Sequence, residues 1–450
     1  MIDRRTLLAR LAAAPFLAGR PRPASADTPL ALWTSEIEPA RLRVIEYIAT
    51  AYGAWAGVPP VTVVSIPEEK IVASVAAAHR AGHSPDLVNT GGDLLLALCE
   101  TGCLDSDVAA AFIADIGGFF AGPVIALRSS AGFQAGIPFH GWPQVLWYRH
   151  DMFATAGLPE PGNIPDLVAA AKALHEGPRG RIGVVCGTDG GLYTQQVFAQ
   201  MVRAESGSLF AADGTPTLDD ASVHRTLASY AAMAVYGPPG VVNWRARDWY
   251  IQGRAAMMFY SSLIMDDLAI AGIARDSLRG DRFAGLGGAA FDPELVRRTK
   301  LVTAFAPTGA SYSAINGLGV PRGLDGRRRT AVYDFLRFLF RPDSYVVWLH
   351  MAPGGMLPVR RDIAGTDAFL RDPLGVFRRF GRDQVSRLAD SLTHPGSFTQ
   401  WHGTTVPNAA TVHADGLVGR MVARVVAGAA SPANSARAAQ AEAEALLLRG

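Results

Sequence analysis

Apolar residues along this chain keep two alternating rhythms. Residues 30–33 form a short apolar run that reads as a strand, residues 38–55 repeat their apolar positions at helical spacing, and residues 61–66 return to a strand-like run. Helical periodicity over 69–81 stops at Gly82, the next strand reads over 85–88, and residues 93–100 form a helix that ends before Gly102. Further helices are predicted over 166–174, 223–233, 328–340 and 433–448, with a buried strand over 182–186. Strand–helix–strand order at this spacing predicts an α/β sheet with crossover helices. In such sheets ligands sit outside the carboxyl ends of the strands. That rule selects Trp33 and Ser35 after the first strand, and Asn89 and Asp93 after the third.

The first 26 residues change the picture of compartment and charge. Arg4 and Arg5 precede an apolar stretch over 7–19, and the small residues Ala24, Ser25 and Ala26 follow, which is the layout of an export signal cut after Ala26. The arginine pair with Thr6-Leu7-Leu8 resembles a twin-arginine signal, although Asp3 replaces the usual Ser or Thr and Arg10 interrupts the apolar region; the general secretory route is the alternative. No Cys stands at the cut, so a soluble periplasmic protein without a lipid anchor is expected. The signal contains five Arg and one Asp, so its removal takes the net charge from +2 to −2. Without a basic excess there is no electrostatic case for nucleic acid. Apolar runs such as 255–265 fall well short of the roughly 20 residues of a membrane helix.

About 424 residues exceed what one core usually fills, so two lobes are expected. Gly and Pro are dispersed rather than clustered, no linker stands out, and a chain that crosses between lobes several times follows. Cys99 and Cys103 are close enough for a small disulfide in an oxidising compartment, and two packed thiols fit equally. Cys186 sits in a strand.

The stretch GIPFHGWPQVLWYRHDMF, residues 136–153, crowds aromatic rings behind a Gly and a Pro. It continues as Leu146 to Phe153 and then Ala156-Gly157-Leu158-Pro159, similar to "l-x-Y-N-k-d-l-F-x-x-a-G-L-x-x-P". Pro85-Asp86-Leu87-Val88 after Gly82 resembles "G-x-x-PD-v-v", and Trp249 to Met258 resembles "a-F-x-x-G-k-a-A-M". Val332 to Leu339 with Met356-Leu357-Pro358-Val359-Arg360 resembles "A-w-x-F-l-k-f-L … G-x-l-P-v-r". In this order the four stretches resemble the family 1, sugar-type extracellular solute-binding proteins of ABC importers. The resemblance spans nearly all of the chain after residue 26. It implies a type II periplasmic-binding fold: two α/β lobes joined by multiple crossovers, a ligand cleft, and a monomer that delivers its solute to a membrane permease. On this chain, lobe one is expected over 27–137 plus 300–349 and lobe two over 138–299 plus 350–450. The Gly136-Ile137-Pro138 bend is then the first hinge, with Gly supplying backbone freedom.

A pyranose offers an apolar C–H face and a rim of hydroxyls, so its capture needs flat rings beside amide, hydroxyl and charged groups. Those grounds add His140 and Trp142, Tyr193, Tyr260 and Ser261, Asn316, and Trp401 to the four residues above. Trp142, between Gly141 and Pro143, reads as a loop residue, whereas Trp147 and Tyr148 read as core. After Met258 many relatives carry a Trp; this chain reads Phe259-Tyr260-Ser261-Ser262, so either Tyr260 supplies a stacking surface in its place or the cleft holds something other than an ordinary oligosaccharide, a non-sugar solute included. No adjacent Tyr pair suits iron and no dense acid run suits a polyamine, so a sugar or polyol leads.

Other signals are weak. His79 and His83 are four apart, but Gly82 breaks the helix and no third ligand is near, so no metal is expected. Gly82-His83-Ser84 lacks the last Gly of a nucleophile elbow, and residues 285–290 match a dinucleotide turn only loosely. The rival class is a secreted carbohydrate-active hydrolase, which needs two carboxylates about 5–10 Å apart. The acid pairs Glu68-Glu69, Asp219-Asp220 and Asp266-Asp267 are sequence neighbours that point in different directions. No catalytic residue and no cofactor is expected. A sensing role on the same fold is a third reading.

Overall fold

The computed structural model describes residues 29–177, 180–271, 273, 292–309 and 311–448. The export signal at 1–26 and the loose dinucleotide match at 285–290 lie outside the described residues. Nine strands carry the architecture: β1 (Ala31–Thr34), β2 (Thr62–Ser65), β3 (Leu87–Gly91), β4 (Ile137–Arg149), β5 (Ile182–Val185), β6 (Ala255–Ser261), β7 (Thr299–Val302), β8 (Tyr312–Gly319) and β9 (Leu357–Pro358). The chain divides into two compact units, residues up to 141 with 314–378, and residues 142–313 with 379 onwards.

Unit one is built on the order β2-β1-β3-β8, in which β1 pairs parallel with β2 and β3 while β8 runs antiparallel to β3. The first half of β4 borders β8 and takes β9 through the pairs His140–Pro358 and Gly141–Leu357. The helix Pro39–Ala56 begins on a proline and ends at Gly57 in the left-handed region, φ 71°. Its buried Val44, Ile45, Ile48 and Tyr52 recur at helical spacing, and burying each aliphatic side chain contributes roughly 1.5–3 kcal/mol.

Asp86 of the Pro85-Asp86 pair is a structural pin. Its carboxylate accepts the Ala31 backbone N–H at 2.7 Å and two bonds from Arg328, at 2.7 and 2.6 Å, which ties the start of β1 to the helix Gly326–Leu339. A second brace is Tyr345, whose hydroxyl donates to the Phe139 carbonyl and accepts the Val359 N–H. Phe139 itself packs against Phe340, Tyr345 and Trp348, so part of the aromatic stretch is the core of unit one.

Unit two pairs β5 parallel with β6, and β6 and β7 antiparallel with the second half of β4. Trp147 is fully buried here and its indole N–H donates to the Tyr260 carbonyl at 3.2 Å. The helices Leu417–Val426 and Pro432–Leu447 pack on each other and on Ala221–Ala234. Pro432 and the Ser431 hydroxyl, which accepts the Asn434 N–H, start the last helix.

The chain crosses between units three times, as the scarcity of linkers suggests, but at other places than expected. The first crossing falls at 141/142, not at the Gly136 bend. Gly136 has no left-handed backbone; a Cβ there would lie 2.9 Å from Leu95 Cδ1 and 3.1 Å from the Leu318 carbonyl oxygen. Glycine at 136 therefore allows close packing rather than bending. Residues 300–313 stay with unit two because β7 pairs with the second half of β4. Residues 350–378 stay with unit one because β9 pairs with its first half and Phe120 N–H donates to the Val359 carbonyl. Trp142 is likewise a strand residue. Pro143, which has no N–H to give, sits between the register with β9 and the register with β6 that starts at Gln144.

Cys99, Cys103 and Cys186 are thiols, and the Thr101 hydroxyl donates to Cys103 Sγ at 3.0 Å. Among the described residues no helix is long and apolar enough to cross a membrane, and no group of three metal-ligating side chains assembles. His79 instead shares a 3.1 Å hydrogen bond with Ser84.

Candidate functional site

In unit one the predicted residues gather at the carboxyl ends of β1 and β3. Ser35 donates its backbone N–H to the Asn89 carbonyl at 3.0 Å, and Asn316 on β8 lies in register with Gly91. Asp93 opens the helix Gly92–Glu100, which starts directly on β3. Asn89 is 5% exposed; its side-chain oxygen accepts the Thr34 hydroxyl at 3.0 Å and its amide donates to the Gly317 carbonyl. Much of its hydrogen-bonding capacity therefore goes into fastening three strands together. Trp33 is half-buried on the opposite face of β1 from the fully buried Leu32 and Thr34.

His140 is buried in β4, and its Nδ1 has no hydrogen-bond partner among the described residues. Burial, helped by the Arg41 charge, lowers its pKa to about 3, so the ring is neutral. Arg41 is held by Glu36 at 3.1 Å, and the other Glu36 oxygen caps the turn by accepting the Ile37 and Glu38 N–H groups. Burial raises the Glu68 pKa, and Asp93, Glu69 and Glu36 add to it. Acids far apart in the sequence thus share one end of the sheet.

In unit two Tyr193, Tyr260 and Ser261 come together at the end of β6. The Tyr193 and Tyr260 rings are 6.1 Å apart, Tyr193 hydroxyl donates to the Phe259 carbonyl at 2.5 Å, and Ser261 is in register with Gln144, two residues after Trp142. Trp401 is not among them. It is 3% exposed, its N–H donates to the Phe398 carbonyl at 2.7 Å, and the Arg203 guanidinium covers its ring at 3.9 Å. Its stacking face is taken by a cation from its own unit.

Around Tyr260 the structure adds residues that the sequence reading missed. Trp244, 46% exposed, stands on a short 3₁₀ turn, Trp244–Ala246, which runs into the helix Arg247–Ile251. The Arg247 guanidinium lies 5.6 Å from the Trp244 ring and 5.7 Å from the Tyr260 ring, and donates to the Tyr260 hydroxyl at 3.4 Å. Two acids flank it: Asp248 at 3.8 Å and Asp267 at 3.7 Å, 1% and 4% exposed. Burial works against the Arg247 charge, yet Tyr260, Asp267 and Asp248 outweigh it and push its pKa up.

Asp248 is in the reverse position. Neither of its side-chain oxygens has a hydrogen-bond partner among the described residues; burial pushes its pKa up to about 7, opposed by Arg247 and reinforced by Asp267. The result is an exposed indole beside a buried phenol and a guanidinium, backed by carboxylates. A flat C–H face can stack on such an indole, and hydroxyls at its edge can meet the Tyr and Arg donors. The available signal was the order Trp244-Arg245-Ala246-Arg247-Asp248 just ahead of the Trp249 to Met258 match.

Residues 48–376 match the family model described as bacterial extracellular solute-binding protein. The putative ABC transporter periplasmic-binding protein YcjN of Escherichia coli K12 is 24% identical over 388 residues, 85% of this chain and 84% of its own. A solute-binding protein of Agrobacterium radiobacter K84, solved with ribitol, superposes with a TM-score of 0.70 at 21% identity, covering 93% of this chain and 98% of that one. The maltose-bound MalE3 of T. maritima gives 0.70 at 15% identity, covering 93% and 100%. The chain shares their type II fold.

Proposed function

We infer, for a chain that belongs to the bacterial extracellular solute-binding protein family, that it is the substrate-binding component of an ABC importer and captures a sugar or polyol. The observation that carries the solute class is the grouping of Trp244, Arg247 and Tyr260 in unit two, an aromatic and hydrogen-bonding wall suited to a polyhydroxylated guest. Relatives of the same fold are described with ribitol and with maltose, and another with α-D-tagatose, which supports the reading. Trp142, Tyr193 and Ser261 complete the proposed contacts in unit two. In unit one, taken by itself, the proposed polar positions are Ser35, Asn89, Asp93 and Asn316, with Trp33 and His140 nearby.

Capture proceeds by bending at the three crossings, and the liganded form is the one a permease receives. Export through the signal at 1–26, by the twin-arginine route, and action as a monomer belong to the same proposal. The hydrolase alternative gains nothing from Asp248 and Asp267: both are sealed beneath Arg247, and the family is one of binding proteins.

A thermal-shift series with ribitol, D-tagatose, maltose, glycerophosphocholine and a polyamine tests the reading, since a ligand specific to the folded state stabilises by roughly 2.7 kcal/mol at 100 times its Kd. A neutral sugar or polyol should raise the melting temperature. Stabilisation by the phosphate ester or the polyamine alone would overturn the solute class.

A further inference from the structure

Residues 187–192, Gly-Thr-Asp-Gly-Gly-Leu, follow the carboxyl end of β5. β5 runs parallel to β6 in the register Val184–Met257 and Val185–Met258, so this segment emerges beside Tyr260 and Ser261, at the end of the sheet where ligands of α/β folds sit. Two contacts brace it. Thr188 donates its N–H to the Val242 carbonyl at 2.7 Å and its hydroxyl accepts the Val242 N–H at 2.8 Å, two residues before Trp244. On the other side Gly190, φ 76°, lies so close to the helix Leu417–Val426 that a Cβ at Gly419 would overlap the Gly190 carbonyl oxygen.

Asp189 stands between these braces. Its Oδ1 accepts the Gly191 N–H at 2.9 Å and the Thr194 hydroxyl at 2.8 Å, which fixes the carboxylate against the helix Leu192–Ala204 beside Tyr193. Among the described residues no hydrogen bond or ion pair engages its Oδ2, and the residue is exposed. Burial drives the Tyr193 pKa well above its ordinary value, and Cys186, Tyr260 and Asp189 push it further, so the carboxylate lies within electrostatic reach of the Tyr193–Tyr260 ring pair. The wall otherwise offers an indole, a phenol and a guanidinium. Asp189 adds an acceptor that is oriented before any solute arrives.

We propose that Asp189 is a specificity-determining residue of unit two: its Oδ2 accepts a hydroxyl of the bound solute. The inference rests on the reading of Trp244, Arg247 and Tyr260 as a solute-binding wall. A hydrogen bond to an ionised acceptor is about twice as strong as one between neutral groups, so Asp189 favours solutes with a free hydroxyl at that point. The same charge makes a sugar acid bind less well than it would beside a neutral side chain.

Calorimetric titration of the wild type and of Asp189→Asn with ribitol, D-tagatose and maltose tests it. Because Oδ1 accepts from two donors, an Asn amide keeps its oxygen there and turns its NH2 outward, which replaces the unengaged acceptor by a donor and leaves the turn intact. A solute that the wild type binds should bind Asp189→Asn at least about tenfold more weakly, with the melting temperature of the free protein within about 2 °C of the wild type. Unchanged affinity in Asp189→Asn, where Trp244→Ala and Tyr260→Ala both weaken the same solute, sinks this inference alone. A loss of affinity that comes with an equally early melting of the free protein makes Asp189 a structural cap and sinks it too.

The second readout sets the bound neutral solute against its acid counterpart, D-ribonate for ribitol, D-tagaturonate for tagatose or maltobionate for maltose, by displacement at pH 7.5. The acid-to-neutral affinity ratio should rise about fivefold in Asp189→Asn, since the substitution removes one negative charge whatever the rest of the wall carries. A level ratio overturns the proposal. If Trp244→Ala and Tyr260→Ala leave the affinity unchanged, or none of the three neutral solutes binds, the wall reading fails and this inference falls with it.

Discussion

Replacing Arg328 by Gln would strip the Asp86 carboxylate of both guanidinium bonds and leave it with the Ala31 N–H alone. Asp86 is 3% exposed and Arg328 27% exposed, and Arg328 also donates to the Pro29 carbonyl, so the two halves of the pair are not equivalent when the other is removed. An unpaired buried carboxylate has no route to water, whereas a guanidinium with a quarter of its surface open rehydrates in part. Removing one partner of a buried pair costs about 3–5 kcal/mol. We therefore expect Arg328→Gln to cost about 3 kcal/mol and Asp86→Asn about 2, the second discounted for the solvent that reaches Arg328. In the double variant the losses should fall short of their sum by about 1–2 kcal/mol, since the sites share one interaction. Urea unfolding followed by both fluorescence and circular dichroism gives these differences and reveals whether the units unfold together. Equal costs for the two single variants, or full additivity in the double, would refute the asymmetry argument.

Trp244→Ala should weaken binding of the captured solute by on the order of 30-fold in calorimetry, the loss of one stacking face, and Trp142→Ala by a similar factor if it touches the same solute. Tyr260→Phe should cost about threefold to tenfold if Tyr260 belongs to the proposed wall, because it removes the hydroxyl that accepts from Arg247. Asp248→Asn should alter the pH dependence of stability. Its folded pKa is raised, so the wild type is most stable below the unfolded value near 4 and loses stability as pH rises through about 7, and the variant lacks that loss. After allowance for screening the difference should approach 2 kcal/mol in urea unfolding at pH 8 against pH 4.5. Gly136→Ala should cost about 1–3 kcal/mol, as its Cβ would press on Leu95 and the Leu318 carbonyl oxygen without touching solute affinity.

The alternation of strands and helices was readable because each element buries a face with its own period. The helix predicted over 38–55 is Pro39–Ala56, and the strand predicted over 182–186 is β5. Position within the chain was harder to read than type of element. Gly141 and Pro143 look like turn residues around Trp142, yet there the strand changes partners, and a proline costs little at such a point. Gly136 looks like a hinge, yet neighbouring side chains and backbone, not φ, forbid a Cβ. The Tyr260 wall escaped notice because Arg247, Asp248 and Asp267 meet only through tertiary packing. Asp266-Asp267 as a sequence pair says nothing of a guanidinium 20 residues earlier. Trp401 misled for the opposite reason: an aromatic residue in the right region gives no sign that Arg203 already covers it.

The most direct test is a calorimetric titration of the purified protein with neutral sugars and polyols, ribitol first. Capture without chemistry predicts heat that saturates at one solute per chain, with the solute recovered intact. Heat that continues in proportion to time and solute consumed, or no heat from any neutral polyhydroxylated compound while amines or phosphates bind, would contradict it.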